Sequence, residues 1–336
     1  MGMLEGNPWI DEVIESSEHP TWPEYKSLLR RIFRKYDLAI VTQPSDRAHI
    51  YGLLAAPKRV GIVSESLLHN WWKKLLCVQT VQLDYWVQHV VIERLRLLDR
   101  FGDSVSETEP ELWASVTPPA SVELPTDLVR FVEAGKTMVV HATPMWRFKR
   151  WPVQSWVHLI VNVINSGWHV VLTGSSSQQD QSLNLEIEQG VEAQLGVAGT
   201  ARLRNCAGLL SLGQTTTLLK GTELYVGVDT SITHLAAACG APTIALFGPT
   251  APPNFGPWPK GSSFSTRDQS IWRLRGQAAG SSAAVQQLGN VSIVQGPGDC
   301  VPCRKAGCDN HFGSASHCLD RLSWQDVARL IGEVHK

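Results

Sequence analysis

Leu224–Pro257 reads LYVGVDTSITHLAAACGAPTIALFGPTAPPNFGP, and this run decides the fold. Leu224–Val228 is apolar and β-branched-rich and ends at Asp229, as a strand buried on both faces of a parallel sheet does. Thr230 and Ser231 then open a helix in which Ile232, Leu235, Ala236 and Cys239 recur at helical spacing. Gly240 and Pro242 stop it, and Thr243–Phe247 forms the next strand. A helix that starts at the carboxyl end of a parallel strand aims unpaired backbone N–H groups at a crevice, where phosphate is the usual occupant. Two hydroxyls, the Asp229 carboxylate and His234 at that mouth point to a nucleotide diphosphate. The plain alternative is an ordinary strand–helix turn capped by Asp229.

Two further blocks carry the same kind of pattern. His141–Pro152 reads HATPMWRFKRWP and leads into SWVHLIVNVINSGWHVVLTGSSSQQD, a helix, a strand and a glycine turn. Tyr36–Ile62 reads YDLAIVTQPSDRAHIYGLLAAPKRVGI. The run D-T-S-I-T-H-L-A-A-A-x-G-x-P-x-I-A-L-F-G-P-T resembles the signature of the family 9 glycosyltransferases, the heptosyltransferases of the bacterial lipopolysaccharide inner core. The second block is similar to that family's H-x-(G/T)…K-x-W-P motif, and the third, more weakly, to its YD…Q…R-x-G segment. Together the three resemblances cover nearly all of the chain.

Bulk properties fit. At 336 residues the chain has room for two domains with separate cores. Its 43% hydrophobic and 18% charged residues describe a folded globular protein and exclude a disordered one. No apolar run approaches the ~20 residues of a membrane span. MGMLEGNPWIDEV has no basic n-region or apolar h-region, so the expected compartment is the cytoplasm, with peripheral contact at the inner face of the membrane. Residues 26–100 hold 13 Lys plus Arg against 6 Asp plus Glu, a balance of +7 in a chain whose net charge is −1. That bias suits an anionic partner docking there, or a solvated basic surface. No nucleic-acid-binding module is recognisable. No G-x-G-x-x-G follows a strand, which argues against a nicotinamide-dependent oxidoreductase.

Alternation of short strands (Leu38–Thr42, Arg59–Val63) and helices (Tyr25–Lys35, Leu83–Phe101) makes residues 1–105 a first domain. The acidic, Ser/Thr/Pro-rich stretch after it reads as a linker over 106–126. The second domain, 127–322, runs through helix Leu128–Ala134, strand Thr137–His141, helix Val153–Asn165, strand His169–Thr173 and helix Gln181–Gln189 to the opening block. Ser265–Asn290, rich in Gly, Ala, Ser and Gln, reads as a surface insertion. Ser323-Trp-Gln-Asp326 is a capping box opening a C-terminal helix, 323–336. The pattern is α/β with parallel, doubly wound sheets. The resemblance makes it two Rossmann-like domains facing across a cleft (GT-B type), with the nucleotide sugar on the second and the acceptor on the first.

Lys149, two residues before Trp151-Pro152, resembles the family lysine at the donor phosphates and is the catalytic candidate. Sugar transfer makes the departing diphosphate more negative, and a fixed cation stabilises that charge most in the transition state. Thr143, Asp229, Thr230, Ser231 and His234 match family positions around the diphosphate and sugar. Ser231 stands where many members have glycine. Leu210 resembles the apolar residue that packs on adenine, and would look the same as a plain core leucine. For the ribose, Gln178, Gln179 and Asp180 stay open. Arg47 matches a basic residue near the acceptor, or is a surface arginine. His69–Leu76, HNWWKKLL, suits an anionic membrane face, or ordinary packing of Trp71 or Trp72.

Cys300, Cys303, Cys308 and Cys318 form a C-x2-C-x4-C-x9-C cluster, with His311 and His317 beside it. This density admits a structural zinc clamp or free thiols, neither required for transfer. The family normally begins with a strand, a loop of the S-x-G-D type whose aspartate is taken as the base, and a helix. Leu4–Asp11 resembles the family after that unit, so the resemblance implies a first domain incomplete at its N-terminus, and Asp11, Asp37 and Asp46 are not assumed to replace the base. The implied activity is inverting, metal-independent transfer of a heptose from ADP-heptose to an anionic inner-core sugar. The alternative is a nucleotide-sugar-binding pseudoenzyme or relic without turnover. Sugar, nucleotide, acceptor hydroxyl and oligomeric state are not fixed by sequence.

Overall fold

A computed structural model describes residues 4, 7–64, 67–83, 88–101, 117–262, 270–275, 277–278 and 283–334. The chain divides into two units, Trp9–Ala114 with Ser263–Ile271, and Met1–Pro8 with Ser115–Ser262 and Trp272–Lys336. Residues 106–116 of the expected linker lie outside the described residues.

The smaller unit holds a three-stranded parallel sheet in the order β1 (Leu38–Val41), β2 (Lys58–Val63), β3 (Gln79–Gln82). Helices α1 (Trp22–Ile32), α2 (Asp46–Ala55), α3 (Leu67–Leu76) and α4 (Val90–Leu95) connect and flank it. Local chemistry sets the helix starts. The Glu24 carboxylate accepts the Thr21 N–H at 2.7 Å ahead of α1, and Ser45 Oγ accepts the Ala48 N–H ahead of α2. Val60, Ile62, Val81, Leu83 and Leu97 form its core. The single helix expected over Leu83–Phe101 is corrected here: Leu83 is a core residue beyond β3, and α4 begins at Val90 and tightens into a 3-10 turn, Arg96–Phe101. Residues 84–87 lie outside the described residues. The sequence QTVQ hides β3 because only Val81 is buried in it.

The larger unit is built on an eight-stranded sheet. Its elements follow as α5 (Thr126–Glu133), β4 (Thr137–His141), α6 (Val153–Asn165), β5 (His169–Leu172), α7 (Gln178–Thr200), β6 (Leu203–Asn205), α8 (Leu212–Gly221) and β7 (Leu224–Val228). Then come α9 (Ser231–Cys239), β8 (Thr243–Phe247), α10 (Pro252–Phe255), β9 (Gln277–Ala278), β10 (Ala284–Leu288), β11 (Val291–Gln295), α11 (His317–Asp320) and α12 (Trp324–Val334). Strand order is β6-β5-β4-β7-β8-β11-β10-β9, with β10 antiparallel to both of its neighbours and every other pair parallel. Each of β4, β7, β8 and β11 is buried at all five positions, which is why β7 and β8 read as near-continuous apolar runs, while β11 (VSIVQ) carries buried Ser292 and Gln295.

Alternation within them sorts side chains into two cores. Met138, Val140, Val170, Leu172, Val226 and Val228 face one way, against Trp156 and Ile160 of α6, Ile187 of α7 and Leu330 of α12. Val139, Val171 and Tyr225 face the other, against Phe131 of α5, Leu219 of α8 and Leu235 of α9. The sheet is therefore sandwiched between helix layers, the doubly wound arrangement expected. From β4 the chain steps outward to β5 and β6, then returns to place β7 on β4's other side. The strand order thus reverses between β4 and β7, and in such sheets the crevice for ligands opens at the carboxyl ends of that pair.

Several boundaries shift. The helix expected over Gln181–Gln189 is α7, which runs from Gln178 to Thr200 with a break at Gly196 (φ 66°). The run expected to be a surface insertion up to Asn290 instead supplies β10, paired antiparallel with β11. Its glutamines disguise the strand: Gln286 accepts the Arg273 N–H and donates to the Arg273 carbonyl, tying β10 to the preceding segment. The capping pair before α12 is present, with Asp326 N–H donating to Ser323 Oγ at 3.1 Å.

Candidate functional site

Strand ends at the reversal point carry the expected residues. The last registered pair is His141 with Gly227, so Thr143 and Asp229 stand two residues beyond it on neighbouring strands. Asp229 is 6% exposed, and its Oδ2 lies 2.7 Å from Lys149 Nζ. Lys149 belongs to a 3-10 turn, Arg147–Lys149, between β4 and α6. The His234 ring, one turn into α9, places Nε2 4.0 Å from Asp229 Oδ1. Desolvation lowers the His234 pKa; Asp229 opposes this and Lys149 adds to it. Lysine, aspartate and histidine brought together at this edge form a compact charged cluster beside the N-terminus of α9.

The cap of α9 is a correction. Thr230, not Asp229, is the N-cap: its Oγ1 accepts the Thr233 N–H, and α9 begins at Ser231. Both residues are good caps by chemistry. Asp229 is excluded because its carboxylate is drawn to Lys149. Thr233 Oγ1 donates to the Val228 carbonyl and accepts from the Tyr225 hydroxyl at 2.8 Å, which stitches α9 to β7. At the far end Gly240 adopts φ 88°, a left-handed conformation that ends α9.

Thr143 and His141 form a second, buried group. The Thr173 hydroxyl donates to the Val140 carbonyl at 3.1 Å, so it accepts from His141 Nδ1–H at 3.0 Å. That assignment leaves Nε2 as an acceptor facing the Thr143 hydroxyl at 3.5 Å. Burial lowers the His141 pKa to about 4, against a smaller opposing pull from Asp180, so the ring is neutral at pH 7. His141 opens the HATPMWRFKRWP block, but sequence alone assigns its ring no role. Its motif position was the available signal.

The remaining candidates are dispersed. Asp180 is buried and its Oδ2 accepts the Ser175 N–H at 2.8 Å, so this carboxylate shapes the glycine turn. Gln179 donates to the Pro144 carbonyl at 3.4 Å, and Gln178 to Ser182 Oγ at 3.1 Å. Leu210 is half-buried against the α5, α8 and α9 core, while Leu209 beside it is 70% exposed. Arg47 lies in the smaller unit on the first turn of α2, and its Nη1 donates to the Glu18 carbonyl at 2.6 Å. On α3, Lys73 is buried, bonded to the Pro44 carbonyl at 2.6 Å and paired with Asp46 at 2.7 Å. Trp72 turns toward His49, whereas Trp71 and Leu75 are exposed one turn apart.

Cys303 and Cys308 lie close enough to Cys318 to raise its pKa, and burial, the larger effect, contributes most of the shift to about 12. Among the described residues no three His, Cys, Asp or Glu side chains converge to hold a metal ion, and the cysteine cluster is no exception. Cys300 and Cys308 are exposed and Cys318 is buried, all as free thiols.

A parallel sheet with a lysine–aspartate pair and a helix N-terminus at its reversal point defines a doubly wound α/β domain. The model of glycosyltransferase family 9 (heptosyltransferase) matches residues 25–270, and the chain belongs to that family. It is 34% identical over 259 residues to lipopolysaccharide heptosyltransferase 1 of Pseudomonas aeruginosa, covering 73% of this chain. It is 25% identical over 268 residues to lipopolysaccharide heptosyltransferase 3 of Escherichia coli, covering 76% of this chain and 73% of the relative. The chain spans 62% of the length of the P. aeruginosa relative. The fold is similar to that of a solved family 9 glycosyltransferase from Veillonella parvula, with TM-score 0.68, 17% identity, and coverage of 99% of this chain and 85% of the other. It is also similar to the solved E. coli ADP-heptose lipopolysaccharide heptosyltransferase II, with TM-score 0.61, 19% identity, and coverage of 93% and 79%. The fold class is thus GT-B, with two Rossmann-like units.

Proposed function

We propose that this chain transfers a heptose from ADP-heptose to a sugar of the lipopolysaccharide inner core, with inversion at the anomeric carbon. The observation that carries the reading is Lys149 Nζ, 2.7 Å from buried Asp229 beside the N-terminus of α9. A similar structure, an E. coli heptosyltransferase, was solved with ADP, which supports a nucleotide diphosphate as ligand.

In this reading the acceptor hydroxyl attacks the anomeric carbon from the face opposite ADP. The bond from that carbon to the diphosphate oxygen breaks, and a base takes the hydroxyl proton. Charge then grows on the leaving diphosphate, where Lys149, Thr143 and the N–H groups at Thr230–Ser231 stabilise it. Asp229 fixes Lys149 before substrate arrives, so little reorganisation is needed at the moment of transfer. Leu210 packs on the adenine, His234 lines the sugar subsite, and Arg47 attracts the anionic core. No helix among the described residues is long and apolar enough to cross a membrane. Exposed Trp71 and Leu75 on α3 support peripheral contact with the inner face of the cytoplasmic membrane, where the lipid-linked acceptor sits.

Calorimetric titration with ADP, then with UDP and GDP as competitors, tests the donor site. Saturable ADP binding that Lys149→Ala and Asp229→Ala both weaken is the expected result. A folded chain that binds no nucleotide overturns the assignment. Supplying ADP-heptose with a core acceptor then separates an enzyme, which releases ADP, from a sugar-nucleotide binder that does not.

A further inference from the structure

The turn that carries Lys149 is short and has little to hold it within its own stretch of chain. Its internal bonds are Lys149 N–H to the Trp146 carbonyl at 3.1 Å and Arg150 N–H to the Arg147 carbonyl at 3.0 Å. Its other anchors come from a distant part of the sequence. The buried Ser316 hydroxyl donates to the Phe148 carbonyl at 2.6 Å. The Phe312 ring stacks on Trp146, centroids 4.3 Å apart and planes 25° apart, and also reaches Phe148 at 6.5 Å. Just beyond the turn, Trp151 Nε1–H donates to the Leu322 carbonyl at 2.9 Å.

The segment that supplies these contacts is itself tightly folded. Cys308 N–H bonds the Ala315 carbonyl at 2.9 Å, closing the neck of a loop. Inside it Ser314 Oγ accepts the Asp309 N–H at 2.9 Å, and Ser314 N–H bonds the His311 carbonyl at 2.9 Å. At the neck the His317 N–H points at Cys308 Sγ, 3.4 Å away. A loop bonded this densely can transmit position, whereas a floppy one cannot.

We propose that the loop 308–318 is a brace for Lys149, and that Phe312 and Ser316 are positioning residues for the diphosphate of the donor. This rests on the donor-site reading above and adds to it residues that touch no substrate. Phe312 is 59% exposed, so trimming it removes little core packing. Its ring earns a place on the surface by setting Trp146, and through Trp146 the turn whose third residue is Lys149.

The experiment compares ADP with adenosine, since Lys149 meets only the diphosphate. Phe312→Ala and Ser316→Ala are expected to weaken ADP binding on the order of five- to tenfold, the scale of a misplaced charge-assisted contact, with adenosine affinity unchanged. Phe312→Tyr restores ADP binding because it keeps the stacked ring. In a Lys149→Ala background, Phe312→Ala is expected to cost no further ADP affinity. Parallel weakening of ADP and adenosine, or unchanged ADP affinity in both variants, overturns the brace. Wild-type protein that binds neither ligand instead refutes the donor-site reading on which the brace rests.

Discussion

The Lys149–Asp229 pair predicts an unequal double-mutant cycle. At 2.7 Å and an effective dielectric of about 20, the attraction is about 6 kcal/mol, most of it offset by desolvation of both groups. Removing one partner exposes the difference. Lys149→Met leaves a carboxylate that is 6% exposed without the ammonium that lay 2.7 Å from it. That variant should lose about 2–3 kcal/mol, below the 3–5 typical of a fully buried pair because Lys149 is 24% exposed. Asp229→Asn keeps an oxygen for the ammonium, and the freed lysine can reach water, so its loss should be about 1 kcal/mol. The double variant should be no less stable than Lys149→Met alone, a coupling of about 1–2 kcal/mol. Urea denaturation of all four proteins at pH 7 measures each corner. Single losses that add to within ~0.5 kcal/mol would show that the two side chains do not feel each other, and the preorganised cation would be lost from the mechanism.

Two further perturbations test the scaffold. His141 titrates near 4 in the fold and near 6.5 when unfolded, so it contributes nothing above about pH 6.5. As pH falls below that, the unfolded chain takes the proton first, and stability should drop by up to about 3 kcal/mol by pH 4. The drop attributable to this ring is the part that disappears in His141→Gln, followed by urea midpoints across that range; an identical pH slope in both proteins would contradict a buried neutral imidazole. Gly227→Ala would drive a methyl group into the Tyr225 hydroxyl, whose ring lies over that glycine and holds Thr233. A loss of about 2–3 kcal/mol is expected in thermal or urea melts, and an unchanged midpoint would mean that Tyr225 has room to move aside.

What could be read from the chain depended on how local its cause was. The β7–α9–β8 block was legible because strands buried on both faces need unbroken apolar runs, and because Gly240 and Pro242 end a helix by backbone chemistry alone. The parallel, doubly wound class followed from alternation of elements, whereas the order of strands came only from the structure. By contrast, β3 and β10 were obscured by glutamines, which in β10 serve side-chain hydrogen bonds that no periodicity signals. Asp229 and Lys149 were each singled out, but nothing local shows that they meet. The choice of Thr230 over Asp229 as cap depends on that meeting. Ser316 was invisible for the same reason, since its acceptor lies 168 residues away.

The order of synthesis gives the brace a consequence in time. Lys149 and Asp229 leave the ribosome well before Phe312, Ser316 and α12 do, and α12 completes the core against α6. A nascent chain can pair its central strands early, because β4, β5, β7 and β8 are all made by then. If the brace holds, it does not set the Lys149 turn until Phe312 and Ser316 have emerged and folded back onto it. On the proposed brace, a growing chain therefore carries the Lys149 turn unset while its central strands are already paired, until residues 308–318 have followed it.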